Sequence, residues 1–536
     1  MASREQVETV EVSPAPGSPS WRRGVALLVH PHFRSGWLVR SVLAVLGGLA
    51  LAVAFPPYDQ TWLMPLGLAA LMLTMPAQRG RAGFGYGLLF GLAFMLVLMW
   101  WNTIVGYDAW FALALLEALF YALMGMAWAW MRAYRWWPLG FALAWVGAEL
   151  LRSTVPFGGL PWGRLAFGLA DVPFDRYGRL GGTALVSFLA VLVIAVVVSV
   201  ATRRDWSWRG AVTVLAAVAV VALSVLVPVG AAGAGRQVTV ATVQGNVPGS
   251  GLDPFAERRA VLHNHANTTQ AFAARVARGD APQPDVVIWP ENSTDIDPFR
   301  NESAYEEIDN AVKAIGVPTL VGAVVNGPDA QHVENMGIVW SPTTGPGEEY
   351  TKRHPVPFGE YIPFRSVLTK YISRLKQIPR DFYAGKKVGV MQLGPVQIGD
   401  LICFEVAYDG LVRDIVNGGG KLVVVQTNNA TWAVSKPGQL DQQFAISRYR
   451  AIETGRTVVV AATDGISAIV APNGTVLDRA EPKTRKVLEE QVPLASGITG
   501  GVRVGGWLDL GLSIVAALLT IGAYLGVRRR TGKMET

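Results

Sequence analysis

The sequence predicts a polytopic α-helical membrane domain of eight spans joined to an α/β layered domain outside the membrane. The chain has 536 residues, of which 51% are hydrophobic and 16% are charged, whereas a soluble domain carries about 25% charge. Apolar runs dominate residues 41–235, residues 236–503 resemble a water-soluble protein, and a last apolar run covers 508–527. This pattern disfavours an ordinary cytosolic enzyme, and the surplus of apolar residues excludes disorder for most of the chain.

Residues 1–40 are polar, contain several prolines and lack a signal-peptide pattern, so we expect a disordered cytoplasmic tail. A membrane-spanning helix needs about 20 mainly apolar residues. Candidate spans lie at 41–57, 62–77, 83–101, 109–131, 136–152, 183–202, 210–230 and 508–527. Seven of them form the domain 41–235, and the eighth precedes a second cytoplasmic tail at 528–536. So many apolar runs in one chain disfavour the alternative of buried helices in a soluble protein.

Arginines accumulate in alternate loops, which is the pattern of cytoplasmic loops in membrane proteins. The arginine-bearing loops and termini are at 22–40, 79–81, 132–135, 203–209 and 528–530. The intervening loops near Asp59 and at 102–108 contain no Lys or Arg, while the longer loop 153–182 carries three arginines. Both termini are therefore predicted to be cytoplasmic, and the domain 236–503 extracytoplasmic. Since the net charge of +7 reflects this topology, nucleic-acid binding is not expected.

The outer domain alternates between β-rich and helical segments. Strands are predicted at 237–244, 285–289, 319–325, 337–340, 388–393, 396–403, 421–426 and 457–462, most of them rich in Val and Ile. Helices are predicted at 255–278, 302–315, 408–417 and 438–455. Strands interleaved with helices indicate an α/β layered domain with a largely covered sheet.

Cys403 is the single cysteine of the chain, which excludes an internal disulfide and any metal site built from several thiolates. It ends the predicted strand 396–403 and precedes Phe404 and Glu405, where a helix is expected to begin. Backbone N–H groups at such a turn lower the pKa of a thiol and can hold an oxyanion. Cys403 is therefore a candidate nucleophile, with a buried inert cysteine as an equally good alternative.

Glu291 and Lys352 are the other candidate catalytic residues. Glu291 follows the apolar strand at its carboxyl end, where ligands of open α/β sheets bind, and is a candidate general base. Lys352 precedes two prolines that stiffen the segment up to Glu360, so it could act as a fixed cation for developing negative charge. The alternatives are a solvated loop acid and a basic surface turn. His354 would suit a Cys/His dyad, but the segment gives no separate reason to prefer it.

Together these segments resemble the Glu-Lys-Cys triad of the nitrilase (carbon–nitrogen hydrolase) superfamily. Glu291 follows Trp-Pro, Lys352 precedes a Pro-Phe-Gly-Glu loop, and Cys403 precedes Phe-Glu. Val-Gln-Gly-Asn at 243–246 and Thr-Asn-Asn-Ala-Thr-Trp at 427–432 match the same pattern. With seven spans before this domain and one after it, the chain is similar to the apolipoprotein N-acyltransferases. The membrane segments 54–59, 101–102, 149–152 and 161–162 look like that family.

The resemblance implies a nitrilase-like layered sandwich in which Cys403 is the nucleophile, Glu291 the general base and Lys352 the stabiliser of the oxyanion. Glu360 and Glu405 would support them. Candidate substrate-binding positions are Trp162, Asn335, Phe358, Phe404 and Trp432. Phe358 and Trp432 could form walls of an acyl pocket, with aromatic core packing as an equally good alternative. Phe404 departs from the family, because a tyrosine often follows the catalytic cysteine there. No metal or other cofactor is implied.

The implied reaction transfers a fatty acyl chain from a membrane phospholipid, through a thioester, to the N-terminal amine of the diacylglyceryl-cysteine of an apolipoprotein. The expected partners are the phospholipid donor, the diacylated apolipoprotein and the bacterial plasma membrane. One alternative is a membrane-tethered amidase or nitrilase-type hydrolase that uses water as acceptor. Another is a transporter with an outer receptor domain, which would leave the Glu-Lys-Cys set unexplained.

Charged residues near the predicted spans have their own interpretation. Glu117 and Glu149 lie within spans, where ionisable residues are costly. Glu149 is three residues before Arg152, so we expect an ion pair between them with a structural role. The three arginines of the loop 153–182 could meet lipid phosphate or simply anchor the loop at the interface; they are Arg164, Arg176 and Arg179.

Overall fold

The computed structural model describes residues 36–233, 235–248, 259–432 and 438–532. Most of the predicted N-terminal tail (1–35) and the end of the C-terminal tail (533–536) lie outside the described residues.

A bundle of apolar helices precedes the α/β domain. Its helices are α1 (Trp37–Val53), α2 (Leu63–Thr74), α3 (Gly80–Leu98), α4 (Tyr107–Met131), α5 (Trp137–Arg152), α6 (Gly178–Arg203) and α7 (Trp208–Leu223). The last helix of the chain, Gly500–Gly532, packs against α5 and α6. A described helix thus overlaps every predicted apolar run.

Within the described chain, five helical segments are long and apolar enough to cross a membrane: Gly80–Leu98, Tyr107–Met131, Pro173–Arg203, Trp208–Leu226 and Gly500–Arg530. α1 and α2 are apolar but shorter, with 17 and 12 residues, and α5 has 16 residues. These lengths indicate a membrane protein, while the predicted number of eight spans stays a prediction.

The α/β domain contains two β-sheets. Its strands are β1 (Gln237–Gln244), β2 (Val286–Ile288), β3 (Thr319–Asn326), β4 (His332–Ser341), β5 (Gly345–Thr351), β6 (Asp381–Phe382), β7 (Val390–Leu393), β8 (Val396–Ile402), β9 (Leu422–Thr427), β10 (Val458–Ala462), β11 (Ala468–Val470), β12 (Val476–Arg479) and β13 (Lys486–Pro493). One sheet has the order β13–β1–β2–β3–β4–β5, with β6 paired to β4, and the other has the order β12–β11–β10–β9–β8–β7.

Helices cover the outer faces of the two sheets. The covering helices are α8 (Ala260–Ala277), α9 (Glu302–Ile315), α11 (Asp409–Asn417) and α12 (Gln439–Thr454). α10 (Arg365–Tyr371) has no buried residue, and the terminal helix, now α13, packs mainly on the helical bundle. Leu262 of α8 and Ile308 of α9 pack on the first sheet, and α11 and α12 pack on the second. Between the sheets lies a separate apolar layer that joins β1–β3 to β7–β10. The result is the predicted layered α/β domain, in the order helix, sheet, sheet, helix.

The α/β domain sits on the membrane helices through a shared core. One hydrophobic cluster runs from Leu51 and Phe94 in the helical bundle, through Phe167, to Phe444 and Tyr449 of α12. Because this core is continuous, α12 and the second sheet have a fixed position on the bundle. The ends of β8 and β9 therefore lie close to the junction of the two parts.

Candidate active site

Strand ends bring the three predicted catalytic residues together. Lys352 directly follows β5, Cys403 directly follows β8, and Glu291 lies shortly after β2. Glu291 and Lys352 are 3% and 1% exposed, respectively. The Cys403 residue is partly exposed, whereas the two charged side chains are shielded from water.

Lys352 is held between two carboxylates. Its Nζ donates to Glu360 Oε1 at 2.7 Å and to Glu291 Oε1 at 3.2 Å. Burial alone would lower the pKa of Lys352, but the charges of Glu291 and Glu360 hold it well above its ordinary value. Lys352 is therefore a permanent cation beside Cys403, which suits it to stabilise an oxyanion and not to act as a base.

Glu291 is fixed by groups on three different segments. Asn335 Nδ2 donates to Glu291 Oε1 at 2.6 Å, and the backbone N–H of Asn428 donates to Oε2 at 2.7 Å. The third contact is the one with Lys352. Asn335, predicted to bind substrate, thus contacts the candidate base directly and also lies 3.4 Å from Glu360 Oε1.

The backbone at Cys403 is bent sharply, with a φ of 56° in the left-handed region, which is costly for a residue with a Cβ. Five residues from Cys403 to Ala407 form a 3₁₀ turn, and the α-helix begins only at Asp409. The helical segment predicted after the cysteine therefore begins as a 3₁₀ turn, and the α-helix follows it. Thr427 Oγ1 lies 3.4 Å from the sulfur and donates to it.

The thiol is less acidic than the sequence predicts. Loss of water around it, together with the negative charge of Glu291, raises the pKa of Cys403 to about 12, against the opposing effect of Lys352. The predicted lowering is therefore wrong, because desolvation disfavours the thiolate more than the nearby cation favours it. At neutral pH the resting thiol keeps its proton, and attack by the sulfur requires a base.

Glu405 joins the strand of the nucleophile to the strand of the lysine. Its fully buried carboxylate accepts hydrogen bonds of 2.7–3.0 Å from the Tyr350 hydroxyl and from the backbone N–H groups of Ile402, Arg353 and His354. These donors come from residues next to Lys352 and Cys403. Burial raises the pKa of Glu405, while these hydrogen bonds oppose the rise. Glu405 is thus placed to fix the distance between the two predicted catalytic side chains.

A row of aromatic rings from both parts of the molecule ends beside the candidate nucleophile. Trp162 stacks on Phe404 with centroids 5.2 Å apart and 7° between the ring planes. Trp101 contacts Trp162 at 5.9 Å and Trp432 at 5.8 Å, both edge to face. This aromatic row, made of Trp432, Trp101, Trp162 and Phe404, contains three of the predicted substrate-binding residues and ends directly beside Cys403.

Gln442 of α12 fastens the row to the membrane part. Its Oε1 accepts the indole N–H of Trp162 at 2.6 Å and that of Trp101 at 3.0 Å. Its Nε2 donates to the backbone carbonyls of Pro56 and Leu98 at 2.9 and 3.0 Å. Gln442 was not among the residues predicted from the sequence, although Gln439, Gln442 and Gln443 recur at helical spacing within a segment predicted as a helix. A buried glutamine face of this kind is the signal that would have found it.

Phe358 and His354 lie apart from the reacting groups. The Phe358 ring is 43% exposed, and its centroid lies 6.3 Å from the ring centroid of Phe157 in the loop after α5. The His354 ring packs on Tyr408 at 3.9 Å, and no hydrogen bond joins it to Cys403 within the described residues. Burial and the charge of Lys352 lower the pKa of His354 to about 4, so a neutral imidazole fills this position. The Cys/His dyad considered from the sequence does not form.

The predicted ion pair between Glu149 and Arg152 is wrong. Arg152 pairs with Glu117 at 3.2 Å, whereas Glu149 lies 3.5 Å from Arg164 and accepts the indole N–H of Trp145. The helix ends at Arg152, so its guanidinium folds back toward α4 and the following loop and not onto its own preceding turn.

Arg164 belongs to a buried ionic cluster between the two parts of the molecule. It pairs with Asp409 and, at 2.9 Å, with Asp509 of α13, while Arg450 pairs with Asp409 at 2.7 Å. Arg450 also donates to the carbonyls at the end of the Cys403 turn. Arg164 is thus occupied within the protein, which favours the structural over the lipid-phosphate interpretation for this arginine.

No group of three or more His, Cys, Asp or Glu side chains in the described part of the chain could hold a metal ion. The chemistry available at this site is that of a thiol, a carboxylate and an ammonium group, supported by backbone donors. This combination serves covalent acyl transfer, with a nucleophile, a base and an electrostatic partner for the oxyanion.

Comparison with known proteins covers both parts of the chain. Residues 47–196 match the apolipoprotein N-acyltransferase N-terminal domain, and residues 239–498 match the carbon-nitrogen hydrolase family. An amidase from Nesterenkonia sp., among the solved structures similar to this chain, is 17% identical with a TM-score of 0.34, covering 49% of this chain and 92% of its own.

Two relatives match nearly from end to end. The apolipoprotein N-acyltransferase of Mycolicibacterium smegmatis is 40% identical over 506 residues, which cover 90% of this chain and 84% of that protein. The apolipoprotein N-acyltransferase of Ralstonia nicotianae is 30% identical over 524 residues, 91% of this chain and 94% of that protein. A membrane-type helical bundle, a carbon–nitrogen hydrolase domain and these relatives lead to one conclusion: the chain belongs to the apolipoprotein N-acyltransferase family.

Proposed function

We propose that this enzyme transfers a fatty acyl chain from a membrane phospholipid to the N-terminal amine of the diacylglyceryl-cysteine of apolipoproteins, through a thioester on Cys403. The observation that carries the proposal is the placement of Cys403 between the Glu291–Lys352 pair and the end of the aromatic row. The charged pair supplies acyl-transfer chemistry, and the rings supply an apolar surface that reaches back to the membrane helices.

In the first half-reaction, Cys403 Sγ attacks the carbonyl carbon of a phospholipid ester. Glu291 takes the thiol proton, as the raised pKa of Cys403 requires. The negative charge on the carbonyl oxygen is stabilised by Lys352 and by backbone N–H groups of the turn. The carbon–oxygen bond to the glycerol then breaks, Glu291 returns the proton to the leaving oxygen, and lysophospholipid departs from the thioester.

In the second half-reaction, the free amine of the diacylglyceryl-cysteine attacks the thioester carbonyl. Glu291 accepts a proton from the amine, and the oxyanion again forms beside Lys352. The carbon–sulfur bond breaks and the sulfur is reprotonated, which restores the thiol and completes an amide on the apolipoprotein. A covalent intermediate divides a difficult transfer between two lipids into two easier steps.

The proposed arrangement in the cell follows from the position of the site. We place the enzyme in the bacterial plasma membrane, with residues 41–235 and 508–527 as eight spans, both tails (1–40 and 528–536) cytoplasmic and residues 236–503 extracytoplasmic. The aromatic row at the junction supports this placement, because tryptophans favour the membrane interface. A phospholipid can then present its ester to Cys403 while its chains remain in the bilayer.

The test is incubation of the purified enzyme in detergent with a fluorescent phospholipid and a diacylated lipopeptide. We expect a fatty acyl mass on Cys403 when the lipopeptide is omitted, and triacylated lipopeptide when it is added. Cys403→Ala should lose both products while still inserting into membranes. Hydrolysis without transfer would favour the amidase alternative. Near-normal transfer by Cys403→Ser would contradict the thioester.

A further inference from the structure

A buried ion pair in the helical bundle, Glu117–Arg152, lies outside the catalytic site and apart from the cluster around Arg164. Arg152 ends α5, and Glu117 lies in the middle of α4. Their side chains are 0% and 2% exposed, and Arg152 Nη1 lies 3.2 Å from Glu117 Oε2. Ionisable groups within membrane segments are costly and are retained where they serve a function. Neither residue touches the catalytic triad, so a different role must be sought.

Arg152 holds the loop that follows it. The same Nη1 donates to the backbone carbonyls of Leu160 at 2.9 Å and Trp162 at 2.7 Å. The carbonyl of Arg152 in turn accepts the N–H of Leu160 at 2.7 Å. The Arg152 guanidinium therefore joins α4, the end of α5 and the backbone of Trp162. The ion pair with Glu117 holds the guanidinium in this position.

Trp162 in turn supports the segment that carries Cys403. The indole is buried, its face lies on the Phe404 ring, and its N–H is bonded to Gln442. Phe404 directly follows Cys403 in the strained 3₁₀ turn. If Trp162 moved, Phe404 would lose the surface on which it rests, and the turn that aims the sulfur would lose a support.

We propose that the Glu117–Arg152 ion pair is a positioning element for acyl transfer. The pair fixes the carbonyl of Trp162, and through the Trp162–Phe404 stack it holds one wall of the acyl site against the Cys403 turn. The inference rests on the proposed function, because it takes the phospholipid acyl chain to be the group that enters beside this wall.

The experiment compares two reactions of the same sulfur in Glu117→Gln and Arg152→Lys. Acylation of Cys403 by phospholipid requires the wall, and we expect its rate to fall about ten- to a hundredfold, as a displacement on the order of 1 Å produces. Alkylation of Cys403 by iodoacetamide requires only an accessible sulfur and an intact triad, so we expect it to keep the rate of the unaltered enzyme. Mass spectrometry follows both adducts.

A double-mutant cycle tests the route through Trp162. Adding Arg152→Lys to Trp162→Ala should cause little further loss, because the ring through which Arg152 acts is already removed. Arg132→Lys is the matched control, since this arginine lies over the Trp137 ring at 4.0 Å and does not contact the loop. We expect this control to acylate Cys403 normally.

The outcomes separate the inference from the proposed function. If the unaltered enzyme gains no acyl mass from phospholipid, the proposed function fails. If it does, and Glu117→Gln and Arg152→Lys match its rate, the positioning role is wrong. Parallel losses of acylation and alkylation, or additive losses in the cycle, would also overturn it, because they indicate general damage to the fold.

Discussion

At the scale of the residue, the ionisation of Cys403 determines how the proposed reaction begins. A thiol with a pKa of about 12 is a poor nucleophile at neutral pH until its proton is removed. Glu291 has two opposing effects on this sulfur. Its negative charge raises the pKa of the thiol, yet it is the group placed to accept the proton.

These two effects can be separated with Glu291→Gln. Removing the carboxylate charge should lower the pKa of Cys403, so the rate of alkylation by iodoacetamide should begin its rise at a lower pH than in the unaltered enzyme. Acyl transfer should nevertheless fall about 10²- to 10⁴-fold, because the general base is lost. The measurements are the pH profile of alkylation and the rate of lipopeptide acylation.

Glu306→Gln is the control, because Glu306 is exposed on α9, and neither quantity should change. If the pH profile of alkylation in Glu291→Gln matched that of the unaltered enzyme, the effect of the Glu291 charge on the Cys403 pKa would be contradicted. Undiminished acyl transfer in this variant would contradict the assignment of Glu291 as the base.

The sequence identifies the three candidate residues but not their ionisation. Cys403, Glu291 and Lys352 were found because strand ends and a family pattern mark them. The direction of the Cys403 pKa depends on how much water surrounds the sulfur, which no local pattern contains. The partner of Arg152 was missed for a similar reason, since Glu117 lies 35 residues away in the chain.

At the scale of the element, the site depends on the relation between β5 and β8, which belong to different sheets. Within the described residues, Glu405 connects the ends of these two strands. Its carboxylate accepts hydrogen bonds from the backbone just after β5 and from Ile402 at the end of β8. Hydrogen bonds to a buried carboxylate are about twice as strong as those between neutral groups. Because the Glu405 carboxylate connects the two sheets at the site, we expect its loss to shift Lys352 and Cys403 relative to each other. We expect a smaller effect on the stability of either sheet.

Glu405→Gln tests this link. The amide oxygen can keep some of the bonds, but its NH₂ group faces N–H donors and cannot accept from them. We expect acylation of Cys403 to slow by about a hundredfold, the effect of a displacement on the order of 1 Å, while the enzyme still elutes as a folded species. The measurements are the acylation rate and size-exclusion chromatography.

Glu334→Gln on β4 provides a comparison, because this partly buried glutamate does not contact the three catalytic side chains. An acylation rate in Glu405→Gln equal to that of this control would show that the link does not position the nucleophile.

Strands of the parallel cores were predicted from the sequence, whereas the missed strands pair outside those cores, most of them at a sheet edge. β3, β9 and β10 are mainly apolar runs because both faces are covered, and β1 is a Val-rich strand that is buried along most of its length. The prediction missed β5, β6, β11, β12 and β13. In β13 only Leu488 and Val492 are fully buried, among charged neighbours, and it is recognisable only through its antiparallel pairing with β1.

At the scale of the whole molecule, a rigid junction joins the two parts. The shared hydrophobic cluster and the buried cluster around Arg164 and Asp409 both cross it. α13 leaves the α/β domain and returns along α5 and α6. The catalytic domain is therefore anchored at both of its ends, and its orientation to the membrane follows from the topology of the helices.

The proposed topology can be tested because Cys403→Ala removes the only thiol of the chain. In that background, a cysteine at Thr343, in the exposed turn between β4 and β5, should react with an impermeant maleimide added to intact cells. A cysteine at Ser207, in the exposed loop between α6 and α7, should react only after the membrane is opened. Labelling in the reverse order would invert the topology, and labelling of both in intact cells would contradict the predicted spans.

The high pKa of Cys403 also bears on how long each molecule survives. Oxidants attack thiolates and form a sulfenic acid, which a second cysteine normally rescues as a disulfide. This chain has one cysteine, so no internal disulfide can follow and further oxidation would be irreversible. A sulfur that keeps its proton until substrate and base act together is protected between turnovers, in the oxidising compartment where we predict the domain to lie.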